Sequence, residues 1–170
     1  ADGGPRKLVQ GVLRALPKRG ATLPELPGLP DEVEARWREN WGDEMIAGAR
    51  AAIAGRPPLD LSLRDASATA EWAERLSGVS LMAGHIRLAA DSDVTALPGF
   101  GTGDWWVQDL AASLPARILG AGEGRTVLDL CAAPGGKTMQ LAAAGWRALS
   151  VDQSQRRAGR LRDNLTRTGL

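Results

Sequence analysis

The sequence of 170 residues is poor in the residues that build metal cages and covalent staples. Cys131 is its single cysteine, so an internal disulfide and a cysteine-based metal cage are both excluded. His85 is its single histidine, which rules against a histidine-rich metal site. Its strand-like stretch offers no second ligand, so a satisfied structural histidine is expected. No run approaches the ~20 apolar residues of a membrane span. No basic-then-apolar leader opens the sequence. The formal net charge is only +1, so overall charge does not announce a nucleic-acid partner, although a neutral sum can conceal a basic face. What remains is a polypeptide with 44% hydrophobic and 24% charged residues, the balance of a globular protein, with the cytoplasm as the expected compartment. The sequence begins at Ala1 without methionine and stops at Leu170, after a helix that should lead into another strand. An internal piece of a longer protein is expected.

Residues 6–19 carry Leu8, Val9, Val12, Leu13 and Leu16 at helical spacing, with Pro17 and Gly20 as its end signals. Pro24, Pro27, Gly28 and Pro30 mark a linker. Asp31 and Glu34 form a capping-box pattern ahead of Val33, Trp37 and Trp41, which share one helix face and are expected to pack. Gly42 can end that helix, and Asp43 can cap another that runs to about Ala54. After Pro57-Pro58, Leu59, Leu61 and Leu63 alternate with polar residues as in a strand. Residues 67–77 read as a helix, and residues 79–82 and 85–89 as strands, together a small α+β module. Residues 90–104 read as a loop. Trp105-Trp106 then precede Val107, Leu110, Ala111, Leu114 and Ile118, read as a helix ending near Gly120.

The character changes at Thr126. A buried strand over residues 126–130, a helix from Gly136, a strand over residues 148–151 and a helix over residues 153–168, closed by Gly169, give the start of a doubly wound parallel sheet. The turn after the first of these strands decides the chemistry. A phosphate-cradling loop of the form Gly-x-x-x-x-Gly-Lys-Ser/Thr finds its second half in Gly136-Lys137-Thr138, but its first glycine would fall on Cys131. A dinucleotide fingerprint fails because Ala132 and Pro134 stand where spaced glycines are required. S-adenosylmethionine has no phosphate. It needs a close backbone approach, which Gly135 and Gly136 permit, and an acid at the end of the second strand for its ribose hydroxyls, which Asp152 supplies. For Asp152 alone, a helix N-cap is the competing role.

The stretch Asp129-Leu-Cys-Ala-Ala-Pro-Gly-Gly-Lys-Thr138 resembles motif I of the RNA 5-methylcytosine methyltransferases (the RsmB/NOP family), closest to the RsmB (Sun) type that modifies small-subunit ribosomal RNA. Leu97-Pro-Gly-Phe100 and Trp105-Trp-Val-Gln-Asp109 resemble the opening of that family's catalytic domain. The stretch from Leu23 through Trp41, with Pro57-Pro58 and the strand after it, resembles its RNA-binding region, and the first helix resembles the end of the preceding NusB-like domain. The resemblance implies an α/β fold, the start of a Rossmann-like S-adenosylmethionine-dependent methyltransferase domain over residues 96–170. An α+β RNA-binding module over residues 23–95 and a last NusB-like helix over residues 1–22 would precede it. It also implies cofactor contacts from Cys131, Ala132, Ala133, Pro134, Gly135, Gly136, Lys137 and Asp152, with Arg157 as a further candidate against the alternative of a surface arginine.

Within that family a cysteine thiolate attacks C6 of cytosine so that C5 can take the methyl group, and a second cysteine assists product release. Both belong to motifs after the second strand–helix unit, so the nucleophile is expected beyond Leu170. Neither cysteine is Cys131, which is expected to pack small and apolar beside the cofactor. No catalytic residue is expected within residues 1–170, and the piece alone is expected to be inactive. Ribosomal RNA is the implied partner and a monomer the expected state. A transfer-RNA substrate stays open. So does a non-catalytic RNA-binding role, which would use the basic first helix and Arg156, Arg157, Arg160 and Arg162. The bare start of a parallel sheet should also leave apolar strand residues exposed unless the α+β module covers them.

Overall fold

The computed structural model describes residues 4–18, 20 and 25–170. Arg19, Leu23 and Pro24 lie outside the described residues. The chain divides into two compact units, one through Pro57 and one from Pro58.

In the first unit, α1 spans Gly4–Lys18, one residue past Pro17, and leaves Leu8, Val9, Val12 and Leu13 exposed. The second helix, α2, spans Asp31–Ala54 as two helical segments joined across Gly42, whose φ of 79° suits glycine. The expected capping box does not form. Pro30 holds the N-cap position, and Asp31 is already helical. Glu34 instead pairs with Arg38 at 2.6 Å and Arg50 at 2.5 Å, while Asp43 receives Arg38 at 2.7 Å rather than capping the second segment. Trp37 and Trp41 meet edge to face with centroids 5.7 Å apart. The expectation that both pack inward fails for Trp41, which is 59% exposed because little beyond the Trp37 ring covers it.

The second unit opens with an antiparallel sheet in the order β2-β3-β1-β4. Its strands are β1 (Leu59–Leu63), β2 (Val79–Met82), β3 (His85–Leu88) and β4 (Trp105–Val107). One face buries Leu61, Leu63, Ile86, Leu88 and Trp105 against Trp72 of α3 (Thr69–Arg75). The helix read over residues 67–77 is this α3 preceded by a short 3-10 turn, Ala66–Ala68, which Asp65 caps through the Ser67 amide. A second short turn, Val94–Ala96, interrupts the loop of residues 90–104.

The stretch read as a helix from Val107 is a strand first. Trp105 and Trp106 pair with Leu63 and Ser62 of β1, and the Trp105 indole donates to the Pro98 carbonyl at 2.9 Å. Aromatic bulk that fills a pleated, buried surface draws Val107 into the strand, while Leu110, Ala111 and Leu114 keep the helical spacing. Asp109 then caps α4 (Leu110–Ile118) through the Ala111 and Ala112 amides. Because β4 lies beyond residue 96 yet pairs with β1, this sheet draws strands from both sides of the boundary expected between residues 95 and 96.

The polar face of the sheet is organised by Asp60, which is 4% exposed. Arg87 donates to both its oxygens, at 2.7 and 2.8 Å, and the Leu110 amide donates at 3.1 Å. His85 Nε2 lies 3.2 Å away and is fully buried. The Arg87 guanidinium, helped by the Leu110 amide, holds the Asp60 carboxyl down at about 2 despite its burial. One carboxylate thus ties β1 to β3 and to the start of α4.

The remaining elements are β5 (Thr126–Leu130), α5 (Gly136–Ala143), β6 (Arg147–Val151) and α6 (Gln155–Thr168). Strands β5 and β6 pair in parallel, Leu128 with Leu149 and Leu130 with Val151, as the strand–helix–strand–helix reading expects. Gln108 donates to Gln140, which donates to the Ser113 carbonyl, so β4, α4 and α5 are tied together. Arg167 donates to the Phe100 and Trp105 carbonyls and anchors the end of α6. Gly169 closes that helix in a left-handed conformation, φ 66°, and the Leu170 amide donates back to the Leu165 carbonyl at 3.2 Å. At Gly103, with φ of 71°, a Cβ would collide with the Arg167 carbonyl oxygen. That contact, like the conformation, requires glycine.

Candidate cofactor site

The turn between β5 and α5 reverses the chain abruptly. Cys131 adopts a left-handed φ of 60°, Gly135 has φ of 110°, and the Ala133–Pro134 peptide is cis. Ala132 and Ala133 are buried against Leu161 of α6. A Cβ on Gly135 would lie 2.6 Å from the Leu161 methyl, so that glycine is required by packing as well as by conformation. Behind the turn, the Thr138 hydroxyl donates to Asp129 at 2.6 Å and lies 3.1 Å from Ser150, which joins α5 to both parallel strands.

Asp152 and Arg157 grip the turn from the other side. Asp152 accepts the Ala133 amide at 3.1 Å and the Ser154 amide at 2.9 Å. Arg157 donates to the Ala133 carbonyl and lies 3.5 Å from Asp152. Both polar groups of one peptide residue are therefore held by side chains from the β6–α6 junction. The Ser154 amide, then the Ala133 amide and the nearby Arg157 charge, lower the Asp152 carboxyl below its usual range. The N-cap of α6 is Ser154, so that competing role does not belong to Asp152. Asn164 adds a hydrogen bond to the Pro134 carbonyl at 3.0 Å.

A cavity of about 380 Å³ lies on the open side of the turn. Cys131, Ala132, Ala133, Pro134, Gly136 and Lys137 line it; Gly135 and Asp152 do not. Gly135 faces Leu161, and the Asp152 side chain is 1% exposed beneath the turn. Cys131 is exposed at the cavity wall instead of packing inward, since its left-handed backbone carries it outward. The opposite wall comes from Val107, Gln108, Asp109 and Ala112, which the motif-centred reading did not assign to the site. Their signal was Asp109 as a helix cap placing α4 beside the turn. A cavity of this size, a backbone wall without a Cβ at Gly136, and one lining cation in Lys137 suit a zwitterionic small molecule. They do not make a phosphate cradle. Cys131 is the one thiol in the sequence up to Leu170, and it stands in this wall. Among the described residues no cluster of side chains could hold a metal ion, and no helix is long and apolar enough to cross a membrane.

Residues 116–170 match the family model of the 16S rRNA methyltransferases RsmB/F. A ribosomal RNA small subunit methyltransferase B of Cronobacter sakazakii is 34% identical over 94% of this chain, and one of Pseudomonas syringae pv. tomato is 37% identical over 84% of it. The chain spans 41% and 33% of the lengths of those two relatives. A methyltransferase homolog protein from Pyrococcus horikoshii shares the fold, with a TM-score of 0.66 at 23% identity over 84% of this chain and 50% of that one. Residues 116–170, which hold β5, α5, β6, α6 and the turn, therefore carry the family match, and the chain as a whole is similar to the RsmB ribosomal RNA methyltransferases.

Proposed function

We propose that residues 96–170 form the methyl-donor half-site of an enzyme that methylates C5 of cytosine in small-subunit ribosomal RNA. Residues 23–95 would contact the RNA, and residues 1–22 would be the last helix of a NusB-like domain. The attacking cysteine would lie beyond Leu170, so these residues alone would bind the methyl donor without transferring its methyl group. The enzyme would act on ribosomal RNA as a cytoplasmic monomer. The observation that carries this reading is the cavity beside the clamped turn.

S-adenosylmethionine, when bound, supplies a methyl group on a sulfonium. The chain's own contribution is to hold and orient it. Cys131 through Pro134, with Gly136, form one wall, and Lys137 offers a positive charge for a carboxylate. Asp152 acts from beneath the turn, one oxygen accepting the Ala133 amide and the other the Ser154 amide, and so holds the wall in place. Val107, Gln108, Asp109 and Ala112 form the other side. Cys131 stands in the cofactor wall and not as the thiolate that attacks cytosine.

Calorimetric titration of the chain with S-adenosylmethionine and, separately, ATP tests this reading. Saturable binding of the methyl donor without ATP binding is expected. ATP binding in its place would overturn the assignment. Turnover of cytosine-containing RNA by these 170 residues alone would overturn the placing of the nucleophile beyond Leu170.

A further inference from the structure

Helices α4 and α5 line the cofactor cavity with their N-terminal residues and a second cavity with their C-terminal ones. This second cavity, of about 440 Å³, is bounded by Ala116 and Arg117 of α4, by Gln140 and Ala143 of α5, and by Ala144 just after it. Ser62 and Leu63 of β1 and Trp106 of β4 form its floor, and Arg64 and Asp65 lie along its edge. It shares no lining residue with the cofactor cavity.

The polar groups around it are fixed. Arg117 donates through Nε to Ser113 Oγ at 3.3 Å and through Nη1 to the Ala83 carbonyl at 2.9 Å. Arg64 donates to the Thr168 carbonyl at 3.1 Å and to Asp104 at 3.2 Å. Gln140 is held at both ends of its amide. On the floor, Ser62 is 2% exposed, and its hydroxyl has no hydrogen-bond partner among the described residues. Buried polar groups are nearly always paired, so a hydroxyl left unpaired on a cavity floor marks a position for a ligand atom.

The dimensions suit one drug-sized or nucleotide-sized group. Arg64, already paired with Asp104, and Arg117 retain further N–H donors that suit an anion, while the alanine and leucine walls suit a flat apolar face. A bare inorganic anion would leave those walls wet, and an aliphatic ligand would leave Ser62 and the arginines unused. We propose that this second cavity receives one unpaired nucleotide of an RNA strand, its phosphate beside Arg64 and Arg117 and its base over the alanine-lined wall towards Ser62. The inference rests on the reading that the protein acts on RNA, and it adds a contact at the end of α4 and α5 remote from the methyl donor.

The test uses the full-length protein and a short fluorescent single-stranded oligoribonucleotide, followed by anisotropy at fixed low salt. Ala143→Trp fills the cavity from an exposed helix position without removing a bond, and Arg117→Gln removes a charge. Each should weaken oligonucleotide binding roughly tenfold, the scale of losing one base and one phosphate contact. S-adenosylmethionine affinity should stay unchanged, and the melting temperature should fall only modestly in Arg117→Gln, which loses the bonds to Ser113 and Ala83. If Ala143→Trp does not fold, Arg117→Gln and Arg64→Gln decide the matter. Folded variants that all bind within about twofold of the parent would overturn the proposal, since a base contact is worth more than that. Uridine monophosphate binding as tightly as the oligonucleotide would overturn the strand reading in favour of a free nucleotide. Loss of RNA binding in the variants of a protein that never binds S-adenosylmethionine would support the cavity and reject the methyltransferase reading instead.

Discussion

The two sheets of the second unit are built from equally clear strand signals and end in opposite states. In the antiparallel sheet, Leu61 and Ile86 are fully buried and Trp72 closes over them. In the parallel pair, Leu128, Leu130, Leu149 and Val151 are all more than half exposed and line one face. The other face meets α5, whose Thr138 hydroxyl reaches Asp129 and Ser150. Apolar alternation thus specifies which residues share a face, but burial depends on what lies across from it.

Stability measurements can break this contrast directly. Leu61→Ala should cost about 3 kcal/mol in chemical denaturation, since it opens a cavity in a packed core. Leu149→Ser, from the exposed face, should stay within about 0.5 kcal/mol. Equal losses at the two positions would mean that the parallel face is covered in solution.

The polar side of the antiparallel sheet offers the next largest effect. Asp60 has a folded-state pKa of about 2, below its ordinary 3.8. A depressed carboxyl contributes stability that is present above pH ~4 and is lost as the pH falls through the folded value. Stability should therefore fall between about pH 4 and pH 2 in the parent. In Asp60→Asn that acid-sensitive component should disappear, with a loss at neutral pH of about 1–2 kcal/mol, since the Leu110 amide and Arg87 lose a charged acceptor while Arg87, 39% exposed, stays partly hydrated. An unchanged acid limb in Asp60→Asn would show that another carboxyl governs it.

The contrast also explains what could be read from sequence. The β5–α5–β6–α6 order and its parallel pairing were legible because each rests on local periodicity and turn chemistry, whereas the buried strand expected over residues 126–130 is open, with Leu128 and Leu130 exposed, because that face is uncovered among the described residues. The edge strand Trp105–Val107 was not, because its partner β1 is about 40 residues distant and its own residues continue smoothly into a helical pattern. The expected box at Asp31 failed because Pro30 already provides the entry conformation and Glu34 has two arginines within reach. At the candidate site, the motif located the turn and its acid. It did not reveal that Asp152 and Arg157 act on the two polar groups of Ala133, nor that Gln108 and Asp109 face the turn across a cavity. Those relations join residues from different elements, and no spacing in the sequence records them.

The clamp therefore yields a sharper prediction than the motif. Asp152→Asn keeps the shape of the side chain but weakens acceptance of the Ala133 and Ser154 amides, while Arg157→Ala removes the bond to the Ala133 carbonyl. Each should reduce S-adenosylmethionine affinity about tenfold, the value of one charge-assisted hydrogen bond, with little change in melting temperature. Should the acid serve the ribose alone, Arg157→Ala would leave affinity unaltered and only Asp152→Asn would weaken it.

The smallest effect is expected at Cys131, and it separates wall from nucleophile. The thiol is exposed at the cavity, and its left-handed backbone is set by the turn rather than by the sulfur. Serine has nearly the same volume and adopts that backbone at similar cost, so Cys131→Ser should change methyl-donor affinity by no more than about threefold. In the full-length protein it should also leave turnover of the RNA measurable, because a cofactor-wall residue tunes binding while a nucleophile is indispensable. Complete loss of turnover with methyl-donor affinity intact would place the attacking thiolate at Cys131, and the turn would then belong to the chemistry and not to the cofactor alone.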